Sequence, residues 1–263
     1  MQLFFSTELA PCPYLPGRSE RRLVTSLDRH DPDARHEQLM QVGFRRAQRF
    51  AYRTACPGCN ACVPVRIPVA RFVMTRGWRR ILRHNVDLVG CERPLVATGE
   101  QFELFTRYLA GRHADGGMSA MSWADYRAMV NDSPVSGLVA EWRRTDGSLI
   151  AVSLTDRCAS GLSGVYKFFD PDEGRRSLGS LIVLWHIERA RALQLPYVYL
   201  GYWVAGSSKM AYKSRFRPLE RLTIDGWQPM PPEPAAAPTA ARPAASESDG
   251  CSRSELAEAP GRG

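Results

Sequence analysis

The sequence predicts a mixed α/β fold, a mixed sheet with packed helices, preceded by a smaller basic region that carries cysteines. Three observations lead there. Strand-like runs at residues 136–142, 148–156 and 163–169 follow one another, and an apolar helical segment then separates them from a further strand at Tyr197–Val204. With 263 residues, 44% of them hydrophobic, the chain can bury one large core or two modest ones, and two are expected. The charge is also lopsided: residues 1–95 hold 16 Arg against 8 Asp or Glu, whereas the remainder balances 19 basic with 19 acidic residues. The expected organisation is a basic domain at 1–95, a second domain at 96–230 and a disordered tail at 231–263, where Pro, Ala, Ser and Gly leave little to pack.

Taken in order, residues 32–50 read as a helix. Thr75 can cap a second, in which Arg76, Arg79, Arg80 and Arg83 recur at i, i+3, i+4 and i+7 and so share one face. Helical spacing over residues 100–131 is interrupted at Asp115-Gly116-Gly117, and the next two strands join across Asp146-Gly147, a hairpin signal. A turn-rich loop at residues 170–174 leads into an apolar helix over 177–193, which Pro196 ends. The strand Tyr197–Val204 is apolar enough to be buried on both faces; a short helix with Lys209, Met210, Tyr212 and Lys213 follows, and then a last strand near 221–224. No stretch approaches the roughly 20 apolar residues of a membrane span, and the N-terminus lacks a basic flank followed by an apolar run, so a cytoplasmic protein with no membrane partner is expected.

The basic excess of the first third suits a polyanion such as RNA, or equally a solvated face that serves solubility. Seven cysteines in a chain of this size, without an export signal, point to a reduced compartment. Cys56, Cys59 and Cys62 form a C-x2-C-x2-C cluster that zinc or an iron–sulfur cluster could use, with Cys12 as a distant fourth ligand; a tight loop packed against residues 64–68 explains the same pattern. Between strand and helix, Arg175, Arg176 and Gly179 sit where helix N-terminal amides receive an anion, or where a basic loop caps an ordinary helix. This stretch resembles the acyl-CoA loop of N-acetyltransferases, except that Leu181 stands where a second small residue is usual. Lys209, Tyr212 and Lys213 share a helical turn and suit phosphates and a stacked base, or a surface laid over a core helix. His113 and His186 read as structural residues, His186 in the core.

Five motifs in order carry a family resemblance. They are Cys12-Pro-Tyr-Leu15; Tyr52-Arg53 ahead of the cysteine cluster and Pro64-Val-Arg66; Val165-Tyr-Lys-Phe-Phe-Asp-Pro171; Arg176-Ser-Leu-Gly179; and the segment 201–220. Over about residues 1–230 the chain resembles the bacterial aspartate/glutamate leucyltransferases, relatives of the eukaryotic arginyl-tRNA-protein transferases. The resemblance implies an acetyltransferase-like C-terminal domain whose donor is aminoacyl-tRNA. It further implies transfer of leucine from leucyl-tRNA to the α-amine of proteins that begin with Asp or Glu, marking them for N-degron degradation.

No enzyme nucleophile and no cofactor is required for that chemistry, because the donor ester is already activated. Within it, Tyr166, Asp170 and Tyr202 are expected to bind or deprotonate the α-amine. Arg175, Arg176 and Arg217 are candidates for the acceptor carboxylate. Lys209, Tyr212 and Lys213 would grip the 3′ end of the tRNA, and Arg76, Arg79, Arg80 and Arg83 its acceptor stem. Leu15, where eukaryotic relatives carry a second cysteine, thins the four-thiolate set. The competing readings are an arginyl donor, an acyl-CoA N-acetyltransferase and a metal-organised RNA-binding module.

Overall fold

The computed structural model describes residues 2–28, 30–112 and 120–232. Its first part runs β1 (Phe5–Ser6), β2 (Ala10–Pro11), β3 (Ser19–Glu20), β4 (Arg22–Ser26), α1 (Pro32–Gln41), β5 (Arg45–Ala47), β6 (Phe50–Thr54) and β7 (Cys62–Pro68). There follow α2 (Arg76–His84), β8 (Leu88–Arg93), α3 (Gly99–Arg112), α4 (Trp123–Asn131), β9 (Gly137–Arg144), β10 (Leu149–Cys158) and β11 (Gly161–Phe169). The chain closes with α5 (Leu178–Ala192), β12 (Tyr197–Val204), α6 (Ser208–Ala211), β13 (Glu220–Thr223) and β14 (Gly226–Pro229).

The mixed α/β class is as expected. Eight strands form one sheet in the order β14-β13-β7-β12-β11-β10-β9-β8. β8 to β11 are an antiparallel meander, β11 and β12 run parallel around α5, and β7 enters antiparallel between β12 and β13. A four-stranded sheet, β1-β4-β6-β5, and the small β2-β3 ribbon complete the N-terminal part. The large sheet thus draws β7 and β8 from before residue 95. Among the described residues no helix is long and apolar enough to cross a membrane.

One hydrophobic cluster binds the large sheet to its helices. Phe105 of α3 meets Phe168 of β11 at 5.3 Å and Tyr126 of α4 at 5.1 Å, in the tilted and edge-on arrangements that aromatic quadrupoles favour. α5 is apolar around most of its circumference because it is covered on several sides: Leu178, Ile182, Leu184, Ile187 and Ala190 are all buried. His186 in the same helix is core as expected; its Nε2 lies 2.8 Å from Thr155 Oγ1, and burial pushes its pKa down to about 3, so it stays neutral.

A smaller cluster, Leu27, Leu39, Phe44, Ala51 and Val135, packs α1 on the small sheet. Between the two clusters lies an ionic knot. Asp156 of β10 is wholly buried, yet Arg46 Nε reaches both its oxygens at 2.8 and 2.9 Å and His36 Nε2 lies at 3.1 Å. Burial alone would raise the Asp156 pKa; the guanidinium and imidazole outweigh it, and the net shift is downward.

Two expectations need correction. The helix expected over 32–50 stops at Gln41, because Gly43 turns left-handed at φ 87° where a Cβ would lie 2.8 Å from Pro64 Cγ. The rest of that stretch forms the β5-β6 hairpin. The last strand, expected near 221–224, is β13, and β14 pairs with it. The interruption at 115–117, His113 and all but two residues of the tail expected at 231–263 lie outside the described residues.

Candidate active site

The parallel strands β11 and β12 stay paired only from Gly161–Tyr197 to Ser163–Tyr199. Each then carries an extra residue relative to its other neighbour: Val165 bulges against β10, and Leu200 against β7. Past these bulges the strands part, and Arg45 of β5 enters the gap. Its Nη2 donates to the carbonyls of Gly164 at 2.8 Å and Val165 at 3.3 Å. Only glycine fits opposite: Gly201 has φ +70°, and a Cβ there would lie 1.2 Å from Arg45 Nη1.

Two lysines join Arg45. Lys213, 6% exposed, donates from Nζ to the Tyr202 carbonyl; burial lowers its pKa well below the usual lysine value, with Arg45 and then Lys167 adding to the effect. Lys167 donates to the Gly179 carbonyl at 2.6 Å, with its ammonium 4.7 Å from the centre of the Tyr212 ring. Tyrosines form a further wall. The Tyr202 hydroxyl donates to the Gly43 carbonyl at 3.1 Å, accepts from the Thr54 amide at 3.3 Å, and has its ring 6.3 Å from that of Tyr52. Burial, then Tyr52, pushes the Tyr14 phenol up to about 12, while Arg45 pulls it the other way, so the Cys12–Leu15 motif brings a neutral hydroxyl to this cation.

The expected site residues divide by position. Tyr202, Lys213, Tyr212 and Gly179 lie around the gap. Burial holds the phenols of Tyr166 and Tyr202 neutral, and Tyr166 packs against Phe105 at 5.8 Å. Asp170 accepts from the Asp172 amide at 3.0 Å and pairs with Arg107 at 3.3 Å. Arg176 spends its guanidinium on Asp87, at 2.7 and 2.9 Å, and on Glu173 at 2.6 Å. Arg217 spends its own on the carbonyls of Ser214 and Met230. Arg175 and Lys209 are exposed. In the sequence Arg45 was given no role, and Lys167 entered only as part of the motif at 165–171; the signals pointing to them are Gly201, a glycine inside a buried strand, for Arg45 and the scarcity of lysine for Lys167.

Helix α2 begins at its expected cap, Thr75, whose hydroxyl accepts from the Trp78 amide. Arg76, Arg79, Arg80 and Arg83 are all exposed. On the opposite side Trp78 stacks on Phe216 at 4.5 Å, which joins the basic helix to the segment carrying Lys213.

The four expected metal ligands are neighbours, and Cys12, Cys56 and Cys59 all act on the Cys62 thiol, which burial raises to about 11. Their sulfurs nevertheless serve separate partners. Cys56 accepts from the Arg21 amide at 3.4 Å and Cys59 from Arg18 Nη1 at 3.3 Å, while Cys62 bonds Thr54. Among the described residues no group of three or more His, Cys, Asp or Glu is placed to hold a metal ion, so this arrangement lends the expected metal site no support.

Comparison with known proteins follows these landmarks. Residues 10–80 match the family model for the N terminus of arginine-tRNA-protein transferase and residues 100–223 that for its C terminus. An aspartate/glutamate leucyltransferase of Parvibaculum lavamentivorans is 54% identical over 228 residues, covering 87% of this chain and 95% of the relative. The chain belongs to the aspartate/glutamate leucyltransferase family. Another leucyltransferase of this family, from Paramagnetospirillum magneticum, is 50% identical over 87% of this chain and 94% of its own length; one from Caulobacter vibrioides is 53% identical over 86% and 83%. Family membership makes the chain an aminoacyltransferase that works on proteins with tRNA as carrier. Solved structures resemble it loosely, and the assignment rests on sequence. L-PGS from Bacillus licheniformis aligns at TM-score 0.45 and 11% identity, over 56% of this chain and 48% of that one. A fungal GCN5-related glucosamine N-acetyltransferase region aligns at 0.41 and 9% identity, over 84% of this chain and 24% of that one.

Proposed function

We propose that this chain moves leucine from leucyl-tRNA to the α-amine of proteins that begin with Asp or Glu, in the cytoplasm, as a step that marks them for N-degron degradation. The supporting observation is the 54% identity to a leucyltransferase over nearly that relative's whole length. In this reaction the neutral amine attacks the ester carbonyl carbon. An amide C–N bond forms, the ester C–O bond breaks, and the terminal ribose hydroxyl leaves with a proton from the amine. An α-amine has an unperturbed pKa of about 7.7–8.0, so a useful fraction is neutral near pH 7. The protein's task is then placement, which supplies up to about 7–11 kcal/mol of a barrier, together with stabilisation of the developing oxyanion.

The gap between β11 and β12 is the place we assign to the reacting groups. Asp170 is the expected catalytic group with a carboxylate to offer the α-amine, and Tyr166 and Tyr202 act as neutral walls. Lys209 and Tyr212 meet the 3′ end of the tRNA, and the arginine face of α2 meets phosphates further along. Zinc or an iron–sulfur cluster at the cysteines is outside this chemistry. Purified protein given labelled leucyl-, arginyl- or phenylalanyl-tRNA and peptides beginning with Asp, Glu, Lys or Ala is expected to label the Asp and Glu peptides from leucyl-tRNA alone. Transfer from arginyl-tRNA instead moves the chain to the arginyl branch, and no transfer from any donor ends the reading.

A further inference from the structure

Arg45, Lys167 and Lys213 bring three positive charges to one gap in the sheet, and two of them are among the three lysines of a chain that otherwise uses 32 arginines. Among the described residues the groups that act on the Lys213 ammonium are Arg45, Lys167 and Cys62, with no carboxylate among them. The fold treats its other sheltered cations differently. Arg46, the next residue in the chain, is chelated by Asp156, Arg66 is held by Glu220 at 2.8 Å, and Arg176 is held by Asp87. Desolvating like charges together is unfavourable unless an anion joins them, so the missing partner points to a ligand.

The burial and the hydrogen bonds of these cations bear on which anion suits them. Lys213 is buried and Arg45 is sheltered, with Nη2 held by two strand carbonyls; among the described residues its hydrogen bonds all run through Nη2, which leaves Nη1 and Nε as donors. A carboxylate at the end of a one- or two-methylene arm can enter such a gap and meet a guanidinium edge and two ammonium groups. A phosphodiester carries chain on both sides and suits the exposed face of α2.

We propose that Arg45, Lys167 and Lys213 form the pocket for the side-chain carboxylate of the acceptor's first residue, and that Arg45 reads it. This rests on the transferase function argued above. Arg45 discriminates Asp from Asn and Glu from Gln because an amide would place its NH2 group against a donor and leave the cations uncompensated. Gly201 is the residue that admits the guanidinium, and the Gly164 and Val165 carbonyls set its orientation.

The test uses the full chain and two readouts, leucine transfer and direct calorimetric binding, with peptides that begin with Asp, Asn, Glu or Gln. Arg45→Gln is expected to raise KM for the Asp peptide about 10- to 100-fold, the loss of a charge-assisted pair. The Asp-over-Asn preference should collapse, leucyl-tRNA affinity should hold, and Arg45→Lys should restore part of the preference. Lys167→Met, at a half-buried position, gives the same result in smaller measure if Arg45→Gln fails to fold by thermal melting. An unchanged Asp-over-Asn preference in folded variants overturns the pocket while leaving the transferase reading intact. Loss of tRNA affinity with peptide KM unchanged also overturns it and makes the gap a phosphate site. If the wild-type protein transfers no leucine, the functional reading has failed, and the binding arm alone decides whether the gap holds a carboxylate.

Discussion

Arg45 and Arg46 are adjacent on β5 and point into two regions with opposite electrostatic character. Arg46 turns to the buried knot, where Asp156 answers its charge and His36 completes the set. Arg45 turns to the gap between β11 and β12, where two lysines add to its charge. The knot joins α1 and the small sheet to β10 and is electrostatically complete within the chain. The gap is incomplete and carries the cost of crowded cations as part of its readiness for an anion. Substitutions in the two regions should therefore move stability and activity in different directions.

Asp156→Asn should have the largest effect on stability. It leaves Arg46 buried without its counter-charge, a loss of about 3–5 kcal/mol, visible as a lower midpoint in chemical denaturation. The pH dependence has a definite sign. Because the folded pKa of Asp156 lies below its ordinary 3.8, its contribution is complete above that value and disappears as pH falls through the folded pKa. The gap between wild type and variant should close in acid, and a constant difference down to low pH would break the contrast.

Lys213→Met provides the opposite case. Removing a desolvated cation from a like-charged group should leave stability within about 1 kcal/mol of wild type, or above it, while transfer to acidic peptides falls. The folded Lys213 pKa lies below its ordinary 10.5, so between those two values the unfolded chain binds more protons and wild-type stability rises with pH. The variant should lack that rise. Stability lost together with activity would mean that Lys213 belongs to the framework.

The exposed arginines of α2 should give a smaller effect, with another signature. Converting Arg79, Arg80 or Arg83 to Ser is expected to change stability by no more than about 0.5 kcal/mol. Each lost phosphate contact should flatten the salt dependence of tRNA binding by about 0.7–0.9 in log–log slope. An unchanged slope would make the face a solvated surface. The cysteines should show the least. The Cys59 thiol is lowered by the Ala61 amide and Arg18, whereas Cys62 is raised to about 11, so a thiol reagent at neutral pH should label Cys59 before Cys62. Protein purified without air should contain no stoichiometric metal by elemental analysis; a full complement with matched protection of Cys56, Cys59 and Cys62 would show that the loop rearranges around an ion.

Much of the second half of the fold was legible because local signals agree with the final structure there. Asp146-Gly147 marks the β9-β10 turn, with Gly147 at φ 90°, and the apolar run before Pro196 is α5. The first part was harder to read. β7 contains Pro64 and Pro68 and a central Arg66, a pattern that argues against an interior strand, yet Arg66 is sheltered under Tyr197 at 3.5 Å and Trp227 at 4.3 Å and paired with Glu220. Those partners come from the far end of the chain and leave no trace near residue 66. The site divides in the same way. The lysines after β12 stood out because lysine is rare here, whereas Arg45 is one arginine among many until Gly201 is seen beneath it.

The position of β7 also bears on how the chain is made. Strands β9 to β11 follow one another across short turns and can pair as soon as they leave the ribosome. β7 emerges earlier, but its neighbours on both sides, β12 and β13, are synthesised near the end. Throughout most of translation it is an apolar strand with two open edges, exposed to pairing with a wrong partner. Its two prolines each remove an amide donor from those edges, and Arg66 adds a charge between them, so the residues that obscure the strand in the sequence are also the ones that guard it while it waits.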